Sequence, residues 1–338
     1  MVDVLVTGGA GFIGSNFVRY ALARHPDWRI TTLDKLTYAG RRENLHDVMD
    51  DGRHRFVHGD VADAAVAGPL VRESEVVVHF AAETHVDRSL LSAGEFITTD
   101  VFGTFVLLEA ARDSSKLRRF VQISTDEVYG SVAEGSSRET DELRPRNPYS
   151  ASKAGADRLA YSYWATYDVP VIITRASNNY GPYQFPEKVI PLFVTNAIDD
   201  IPVPLYGDGL NERDWLHVDD HCRGVDLLID AGTSGEVYNI GGGNHVKNAD
   251  LTSRILELSG KGPELIRHVA DRQGHDRRYS LDTAKLQSLG WHPQVEFEAG
   301  LAATVAWYRE NEWWWRPIKD GDPAFRTYYK AQYGDRRP

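Results

Sequence analysis

Near its start the chain reads Val2-Asp3-Val4-Leu5-Val6-Thr7-Gly8-Gly9-Ala10-Gly11-Phe12-Ile13-Gly14. The pattern predicts a strand over Val2–Thr7 and a helix over Phe12–His25, joined by a glycine-rich turn. Gly8 permits the tight turn, Gly11 lets the backbone approach a pyrophosphate at the helix N-terminus, and Gly14 allows the helix to pack closely on the strand. Glycines at this spacing form an ordinary turn in other contexts, but between a strand and a helix they indicate a dinucleotide-binding loop.

Beyond this loop, short β-branched runs alternate with amphipathic stretches of helical length as far as about Arg175. Such alternation is typical of βαβ units that build a parallel sheet. It predicts further strands at Arg29–Asp34, Arg55–His58, Glu75–Ala81, Arg119–Ser124 and Val171–Arg175, and helices at Phe96–Asp113 and Ser150–Tyr167, with Ser92 or Ser150 available as caps. The predicted fold is therefore α/β: a Rossmann-type, doubly wound parallel sheet with a smaller, mixed C-terminal substrate lobe.

The regular alternation stops after Ser177, where glycine and proline divide the chain into short pieces. We therefore place a dinucleotide-binding domain at residues 1–177 and a substrate lobe, for the most part, at residues 178–338. Two segments, Val218–Ala231 and Val237–Ile240, are typical of a further helix and strand of the first sheet. We expect residues 218–245 to return to the first domain.

Composition excludes several classes of protein. With 338 residues, 42% of them hydrophobic and 26% charged, the chain has the balance of a globular protein rather than a disordered or fibrous one. The net charge of −11 repels nucleic acid and anionic membranes, so local groups have to hold any anionic ligand. The single Cys222 has no partner for an internal disulfide. No apolar run approaches the ~18 residues that span a bilayer, and a strand pattern begins at Val2, so we expect a cytoplasmic protein without a signal peptide.

The residue that ends the predicted second strand indicates which cofactor binds. Asp34 follows Gly14 by 20 residues, where its carboxylate can accept hydrogen bonds from an adenosine ribose and would repel a 2′-phosphate. This favours NAD over NADP, although the neighbouring Lys35 could soften the discrimination. Asp60, after the predicted third strand, is a candidate partner for the adenine amine, or part of a simple turn.

A phenol and an ammonium group share one face of a predicted helix. Tyr149 and Lys153 lie four residues apart, and Lys153, together with a cationic nicotinamide ring, favours the phenolate and lowers the pKa of Tyr149. Such a tyrosine can take a proton from a sugar hydroxyl. The Tyr-x-x-x-Lys pattern is common on surface helices, so its interpretation as catalytic depends on the upstream glycine loop.

Polar residues follow the predicted fifth strand, at the carboxyl edge where doubly wound sheets bind ligands. Thr125 can hydrogen-bond a substrate hydroxyl, while Asp126 and Glu127 supply paired carboxyl groups for acid and base chemistry. A solvated turn would also use Asp and Glu. Two carboxyl groups beside a hydride-transfer site indicate elimination as well as oxidation.

These motifs, together with Ala81–Ser89, resemble the extended short-chain dehydrogenase/reductase family. The resemblance runs nearly end to end, through Asn178–Lys188 and Asp271–Tyr279. It implies a hydro-lyase with tightly held NAD that dehydrates the nucleotide sugar dTDP-glucose to dTDP-4-keto-6-deoxyglucose. In this reaction Tyr149 takes the C4 hydroxyl proton as hydride passes to NAD, Glu127 removes the C5 hydrogen and Asp126 protonates the departing C6 hydroxyl, with Thr125 and Lys153 assisting Tyr149. The hydride then returns to C6.

The resemblance also implies two sets of binding residues. Those for NAD are Gly8, Gly11, Phe12, Ile13, Gly14, Asp34, Lys35, Leu36, Thr37, Asp60, Val61, Ala81, Ala82, Glu83, Thr99, Tyr149, Lys153 and Asn179. Those for the nucleotide sugar are His85, Thr125, Asn178, Lys188, Val189, Pro204, Tyr206, Arg213, Asn248, Asp271 and His275. Two residues depart from the family pattern: Asp100 stands where Asn is usual, and Gln273 where Pro is usual.

A homodimer is implied too, through a bundle of helices that carry the apolar stripes of Phe102–Ala111 and Ala154–Tyr163. Burial of these stripes within one chain is the alternative.

Two other functions use the same scaffold. A nucleotide-sugar 4-epimerase shares the glycine loop and the Tyr-x-x-x-Lys pair but normally lacks the Asp-Glu pair, and it retains the 6-hydroxyl. A non-catalytic NAD-binding regulator would tend to lose the acid and base residues, all of which are present here.

His217 and His221 have a spacing that can ligate zinc on a helix, but the segment matches a structural helix of the family, so no metal is expected. We interpret Trp313-Trp314-Trp315 as aromatic packing.

Overall fold

A seven-stranded parallel sheet forms the centre of the molecule in the computed structural model, which describes residues 1–271 and 274–334. The strands are β1 Val2–Thr7, β2 Trp28–Asp34, β3 His54–His58, β4 Val76–His79, β5 Arg119–Thr125, β6 Val171–Ala176, β7 Asn178–Tyr180, β8 Val203–Tyr206, β9 Glu212–His217, β10 Val237–Ile240, β11 His245–Lys247 and β12 Ile266–Val269. The order in the main sheet is β10-β6-β5-β4-β1-β2-β3. The order reverses between β1 and β4, so the loops that follow these two strands diverge and leave a crevice at the carboxyl edge.

Helices cover both faces of this sheet. They are α1 Phe12–Arg24, α2 Ala64–Glu73, α3 Val86–Leu91, α4 Gly94–Phe96, α5 Gly103–Arg112, α6 Pro148–Tyr167, α7 Val189–Ile198, α8 Val218–Ala231, α9 Asn248–Leu258, α10 Ala284–Gln287, α11 Phe297–Glu310, α12 Glu312–Arg316 and α13 Pro323–Tyr329. On β1, Val4 and Val6 pack with Phe17 of α1, whereas Leu5 packs on the opposite face with Leu107 of α5. The alternation of side chains along a strand therefore fills two cores, and the predicted fold class is confirmed.

The smaller sheets belong to the later part of the chain. One has the order β11-β9-β7, with β7 parallel and β11 antiparallel to β9, and the other pairs β8 with β12 in parallel. Trp314 and Trp315 are fully buried in the core of this region, whereas Trp313 is exposed. Strand β10 pairs with β6 in the main sheet, Val237 opposite Ile173. The division into domains at residue 177 stays a prediction.

Two local expectations were wrong, and one helix was missed. Helix α6 begins at Pro148, and its N-cap is Asn147, whose side chain accepts the backbone N–H of Ser150; Ser150 is therefore the third residue of a capping box and not the cap. Ser92 is not the N-cap of a helix: it is the C-cap of α3, and Ala93 is the N-cap of α4. Helix α2 was not predicted, because Pro69 lies within it; Asp63 caps its start.

Helices α4 and α5 are joined by the π-helical turn Ile97–Phe102, so the predicted helix Phe96–Asp113 is not a uniform α-helix. In the part of the chain that the structure describes, no helix is long and apolar enough to cross a membrane.

Candidate functional site

A cleft of about 320 Å³ lies at the crevice between the loops after β1 and β4 and extends to the end of β5. Every predicted NAD-binding residue lines it except Leu36, whose backbone N–H instead donates to the Asp34 carboxylate at 2.8 Å. All five predicted catalytic residues line the same cleft: Thr125, Asp126, Glu127, Tyr149 and Lys153. The fold therefore brings the predicted cofactor and catalytic groups into one space.

The glycine loop leaves no room for a Cβ at Gly8 or Gly14. Gly8 has a φ of +67°, and a Cβ there would lie 2.5 Å from the backbone nitrogen of Ala81. A Cβ on Gly14 would collide with the carbonyl oxygen of Gly8. Gly11 is the N-cap of α1 and has no side chain to occupy the first-turn N–H groups, which therefore remain available to an anion such as a pyrophosphate.

Asp34 is the last residue of β2 and contacts the glycine loop at Ala10. Its two carboxylate oxygens accept the backbone N–H groups of Ala10 and Leu36, at 2.9 and 2.8 Å, and burial raises the pKa of the carboxyl. Lys35 next to it forms an ion pair with Asp60, with 2.8 Å between Nζ and Oδ2. The positive charge that could favour a 2′-phosphate is therefore already compensated, and this end of the cleft suits the ribose of NAD.

The carboxyl pair follows β5 in a short 3₁₀ turn, Asp126–Tyr129. Thr125 Oγ1 accepts the N–H of Glu127 at 3.3 Å and donates to Asp126 Oδ1 at 3.1 Å. Asp126 is only 2% exposed, and its Oδ2 has no hydrogen-bond partner among the described residues. Burial, and then the charges of Glu127 and Asp214, raise the pKa of Asp126 well above its usual range. A raised pKa favours the protonated carboxylic acid, which is the form that can act as a general acid.

Tyr149 and Lys153 occupy the first two turns of α6. Lys153 Nζ donates to the carbonyl oxygen of Ile123 at 2.7 Å, and both side chains are buried. Burial, and then the charges of Glu127 and Asp100, raise the pKa of Tyr149, while a hydrogen bond with Thr125 lowers it. In the protein alone this balance is opposite to the predicted lowering, because desolvation of the phenolate and the nearby carboxylates outweigh the hydrogen bond with Thr125.

Several residues of the cleft were missed by the sequence analysis, among them Tyr38, Glu187 and Trp215. Arg88 donates to Glu187 Oε2 at 2.9 and 3.0 Å, and its guanidinium carbon lies 3.9 Å from the centre of the Tyr38 ring. Glu187 belongs to the quoted motif Asn178–Lys188, which was the available signal. Tyr38 and Trp215 carry no local motif, since only the fold brings them to the cleft.

The predicted substrate residues divide into two groups. Thr125, Asn178, Lys188 and Val189 line the cleft, whereas His85, Pro204, Tyr206, Arg213, Asn248, Asp271 and His275 do not. Pro204 and Tyr206 lie on β8, and Asn248 begins α9. His85 precedes α3 and is buried.

Arg213 lies close enough to the carboxyl pair for its charge to lower the pKa of Asp126. Its guanidinium carbon lies 4.4 Å from the centre of the Tyr279 ring, and it donates to the carbonyl oxygen of Asp276 at 2.9 Å. His275 Nδ1 lies 2.6 Å from Asp271 Oδ1. Gln273, one of the two departures from the family pattern, falls outside the described residues.

His217 and His221 have separate contacts. His217 is the N-cap of α8, with its ring Nδ1 3.2 Å from the backbone nitrogen of Asp219, and His221 Nδ1 lies 2.9 Å from Asn179 Oδ1. Within residues 1–271 and 274–334, no group of three or more His, Cys, Asp or Glu side chains could hold a metal ion.

Comparison with known proteins identifies close relatives. The family model described as GDP-mannose 4,6 dehydratase matches residues 5–304. The dTDP-glucose 4,6-dehydratase of Streptomyces antibioticus is 55% identical over 324 residues, which cover 94% of this chain and 96% of that protein. The dTDP-glucose 4,6-dehydratase 1 of Escherichia coli is 44% identical over 364 residues, with 99% and 100% covered.

Solved structures show the same likeness. DesIV, the dTDP-glucose 4,6-dehydratase of Streptomyces venezuelae, crystallised with NAD and dTDP bound, superimposes with a TM-score of 0.92 at 54% identity, covering 94% of this chain and 100% of its own. A UDP-glucuronic acid 4-epimerase from Bacillus cereus gives 0.87 at 27% identity, covering 91% and 99%. The dehydratase structure is thus the nearer of these two in both fold and sequence.

Proposed function

Since the chain belongs to the GDP-mannose 4,6-dehydratase family, we propose that it catalyses the dehydration of dTDP-glucose to dTDP-4-keto-6-deoxyglucose with NAD as cofactor. The observation that carries the proposal is the buried pair Asp126 and Glu127, which shares one cleft with Tyr149 and Lys153. An oxidation at C4 alone needs only the tyrosine and the lysine. The additional acid and base account for the loss of water.

The cleft fits NAD. The first turn of α1 offers free N–H groups to the pyrophosphate, and Asp34 suits the adenosine ribose. Relatives solved with NAD bound share this fold over more than nine-tenths of the chain. When bound, NAD supplies the hydride acceptor for C4 of the sugar and the hydride donor for C6.

In the first stage the chain has to remove the proton of the sugar C4 hydroxyl. Tyr149 is the base, and its hydrogen bond with Thr125 stabilises the phenolate. The Lys153 ammonium, fixed to the carbonyl oxygen of Ile123, adds a positive charge on the same helix face. The 4-keto group that results makes the C5 hydrogen acidic.

In the second stage Glu127 takes the C5 proton, and the electron pair of the C5–H bond forms the C5–C6 double bond. Asp126 gives its proton to the C6 hydroxyl oxygen, which leaves as water with the electrons of the C6–O bond. The raised pKa of Asp126 favours the protonated form that this step needs. The sugar then accepts hydride at C6 and a proton at C5, so the sequence has no net redox change and belongs to a hydro-lyase.

The test is turnover of dTDP-glucose with NAD, followed by mass spectrometry in ordinary and heavy water. Loss of one water together with uptake of one solvent deuteron at C5 supports the dehydratase. Unchanged mass with inversion at C4 would instead mean an epimerase, and UDP-glucose serves as the matched control for the nucleobase. If the protein binds NAD but leaves dTDP-glucose unconverted, catalysis is refuted and a regulator is favoured.

We also propose a homodimer. Apolar side chains on α3, α5 and α6 and on the π-helical turn between α4 and α5 are exposed in the single chain: Leu90, Leu91, Ile97, Phe102, Phe105 and Tyr161. Other parts of the two stripes, such as Val106 and Leu107, are buried inside the chain. Light scattering should give twice the chain mass of 37.9 kDa, and Phe102→Glu should shift the particle towards one chain mass. A wild-type particle of one chain mass would refute the dimer.

A cytoplasmic location stays a proposal as well, supported by the composition of the sequence. Cell fractionation with antibody detection tests it. Recovery in the membrane pellet or in the medium would contradict it.

A further inference from the structure

One buried carboxylate of the site has no part in the reaction as derived above. Asp100 lies in the π-helical turn Ile97–Phe102 and is 1% exposed. Its Oδ1 accepts the backbone N–H of Glu83 at 2.8 Å, and its Oδ2 accepts the hydroxyl of Ser152 at 2.6 Å. Glu83 belongs to the loop that lines the cofactor cleft, and Ser152 lies between Tyr149 and Lys153 on α6. Asp100 therefore joins the cofactor loop to the helix that carries the catalytic pair.

A series of buried hydrogen bonds fixes the backbone of Asp100. Its carbonyl oxygen accepts the Thr104 hydroxyl at 2.5 Å, so Thr104 Oγ1 in turn accepts from His79 Nε2 at 3.0 Å. The other ring nitrogen, Nδ1, then accepts the Thr7 hydroxyl at 2.7 Å, and Thr7 Oγ1 receives the N–H of Ala81 at 3.3 Å. Burial lowers the pKa of His79 to about 3, which keeps the ring neutral and these directions fixed.

Several titratable groups lie around Asp100. Lys153 and Tyr149 on α6, and Glu83 in the loop after β4, interact electrostatically with its carboxylate. His79 on β4 reaches its backbone carbonyl through Thr104. Burial lowers the pKa of Lys153 while the charge of Asp100 raises it, and that charge also raises the pKa of Tyr149. Burial raises the pKa of Asp100 itself to about 6, an effect that Lys153 opposes.

Several neighbouring charges change the pKa of Glu83. Burial, then Asp100, then the exposed Glu95 raise the pKa of Glu83 to about 7, while Arg88 and Lys35 lower it. Arg88 is paired with Glu187 and Lys35 with Asp60. These two cations are therefore paired with other carboxylates, and the charge of Asp100 acts both on Glu83 and on the catalytic helix.

We propose that Asp100 is a positioning residue of the dehydration, whose negative charge, held between the cofactor loop and Ser152, sets the pH range in which Tyr149 works as the base. The proposal rests on the proposed function, since the stage that it controls is removal of the C4 hydroxyl proton. Asp100 acts through Tyr149 and Lys153 and touches no reacting atom.

The substitution Asp100→Asn separates charge from structure. Asparagine Oδ1 can accept the Glu83 N–H, and its Nδ2 can donate to Ser152 Oγ, whose hydroxyl then donates to the carbonyl oxygen of Tyr149, already 2.8 Å away. Each hydrogen bond of the wild-type side chain thus has a counterpart, and one negative charge is lost. Glu95→Gln is the matched control, because it removes an exposed negative charge a few residues away on the same segment.

Two measurements test the proposal. In the pH profile of kcat/KM for dTDP-glucose, Asp100→Asn should move the acidic limb to lower pH by roughly one unit, because loss of the charge lowers the pKa of Tyr149; Glu95→Gln should leave the limb in place. The dissociation constant of NAD, followed against pH by tryptophan fluorescence without turnover, should lose an inflection near pH 6 in Asp100→Asn alone.

The outcomes are distinguishable from failure of the proposed function. A wild-type protein that binds NAD but does not dehydrate dTDP-glucose refutes the proposed function, and the NAD titration still tests the charge of Asp100. An active wild type whose acidic limb is unchanged in Asp100→Asn overturns the inference. Loss of NAD binding by Asp100→Asn at every pH also overturns it, because the asparagine is argued to keep the loop in place.

Discussion

The sharpest test of the acid–base assignment is the substitution Asp126→Asn. The asparagine keeps the size of the side chain, and its Oδ1 can still accept the Thr125 hydroxyl, so the turn after β5 should keep its shape. What is lost is the acidic proton. The Asp126 side chain is almost fully buried, and its Oδ2 has no hydrogen-bond partner in the described part of the chain, so the substitution breaks no hydrogen bond at that atom.

The size of the expected rate loss follows from the role of Asp126 as the general acid. A positioned general acid contributes about 10² to 10⁴ in rate, which is about 3 to 5 kcal/mol of transition-state stabilisation at 1.36 kcal/mol per decade. Oxidation at C4 depends on Tyr149 and should stay near the wild-type rate. We therefore expect Asp126→Asn to lower kcat for water loss by that factor while the first stage continues.

Rapid mixing with dTDP-glucose, monitored by the absorbance of reduced cofactor, separates the two stages. The variant should build up reduced cofactor in a burst and then release dehydrated sugar slowly, whereas Tyr149→Phe should show no burst. Water loss within threefold of the wild-type rate would refute the assignment of Asp126 as the acid. Absence of the burst with normal NAD binding would show that Asp126 acts in the oxidation instead.

Three further predictions concern binding and stability. Asp34→Ala should weaken NAD binding by about 1 to 3 kcal/mol, measured by calorimetry, because the ribose and two loop N–H groups lose their acceptor; unchanged affinity would remove this assignment. Asp157→Asn should lower the free energy of unfolding, measured in urea, by about 3 to 5 kcal/mol. The buried guanidinium of Arg175 lies 2.8 Å from Asp157 Oδ2 and would lose its counter-charge. A loss below 1 kcal/mol would contradict this. Burial raises the pKa of Glu83 to about 7, so its ionisation destabilises the folded state progressively as the pH rises from about 4.5 to 7, and Glu83→Gln should stabilise the protein at pH 8 by about 2 to 3 kcal/mol more than at pH 4. An equal effect at both pH values would count against the buried ionisation.

Local motifs were enough to predict which residues line one cleft. The glycine loop and the groups around Thr125 and Tyr149 could be predicted because each lies at the end of a strand or on one helix face, and the order of a parallel sheet brings strand ends together. Asn147 was overlooked as a cap because Ser150 is equally suited by type, and only the backbone at Pro148 decides between them. The helix around Pro69 was hidden by a residue that usually breaks helices.

Long-range packing could not be predicted from patterns. Tyr38 and Trp215 reach the cleft from distant parts of the chain. Likewise, Trp314 Nε1 donates to Asn44 Oδ1 at 2.7 Å across 270 residues of sequence. The predicted substrate residues beyond β7 depend on how the later lobe closes on the sheet, which no spacing in the sequence encodes.

The return of β10 to the main sheet has a consequence for synthesis on the ribosome. Strand β6 ends at Ala176, but its outer edge is paired only when Val237–Ile240 has emerged, after the whole segment that contains α7, β8 and β9. Until then the nascent chain presents an open, apolar strand edge, which is a template for wrong pairing. The cofactor-binding sheet therefore cannot be completed ahead of the lobe that follows it, and a ribosome that stalls before residue 240 leaves a chain prone to aggregation rather than a smaller folded protein.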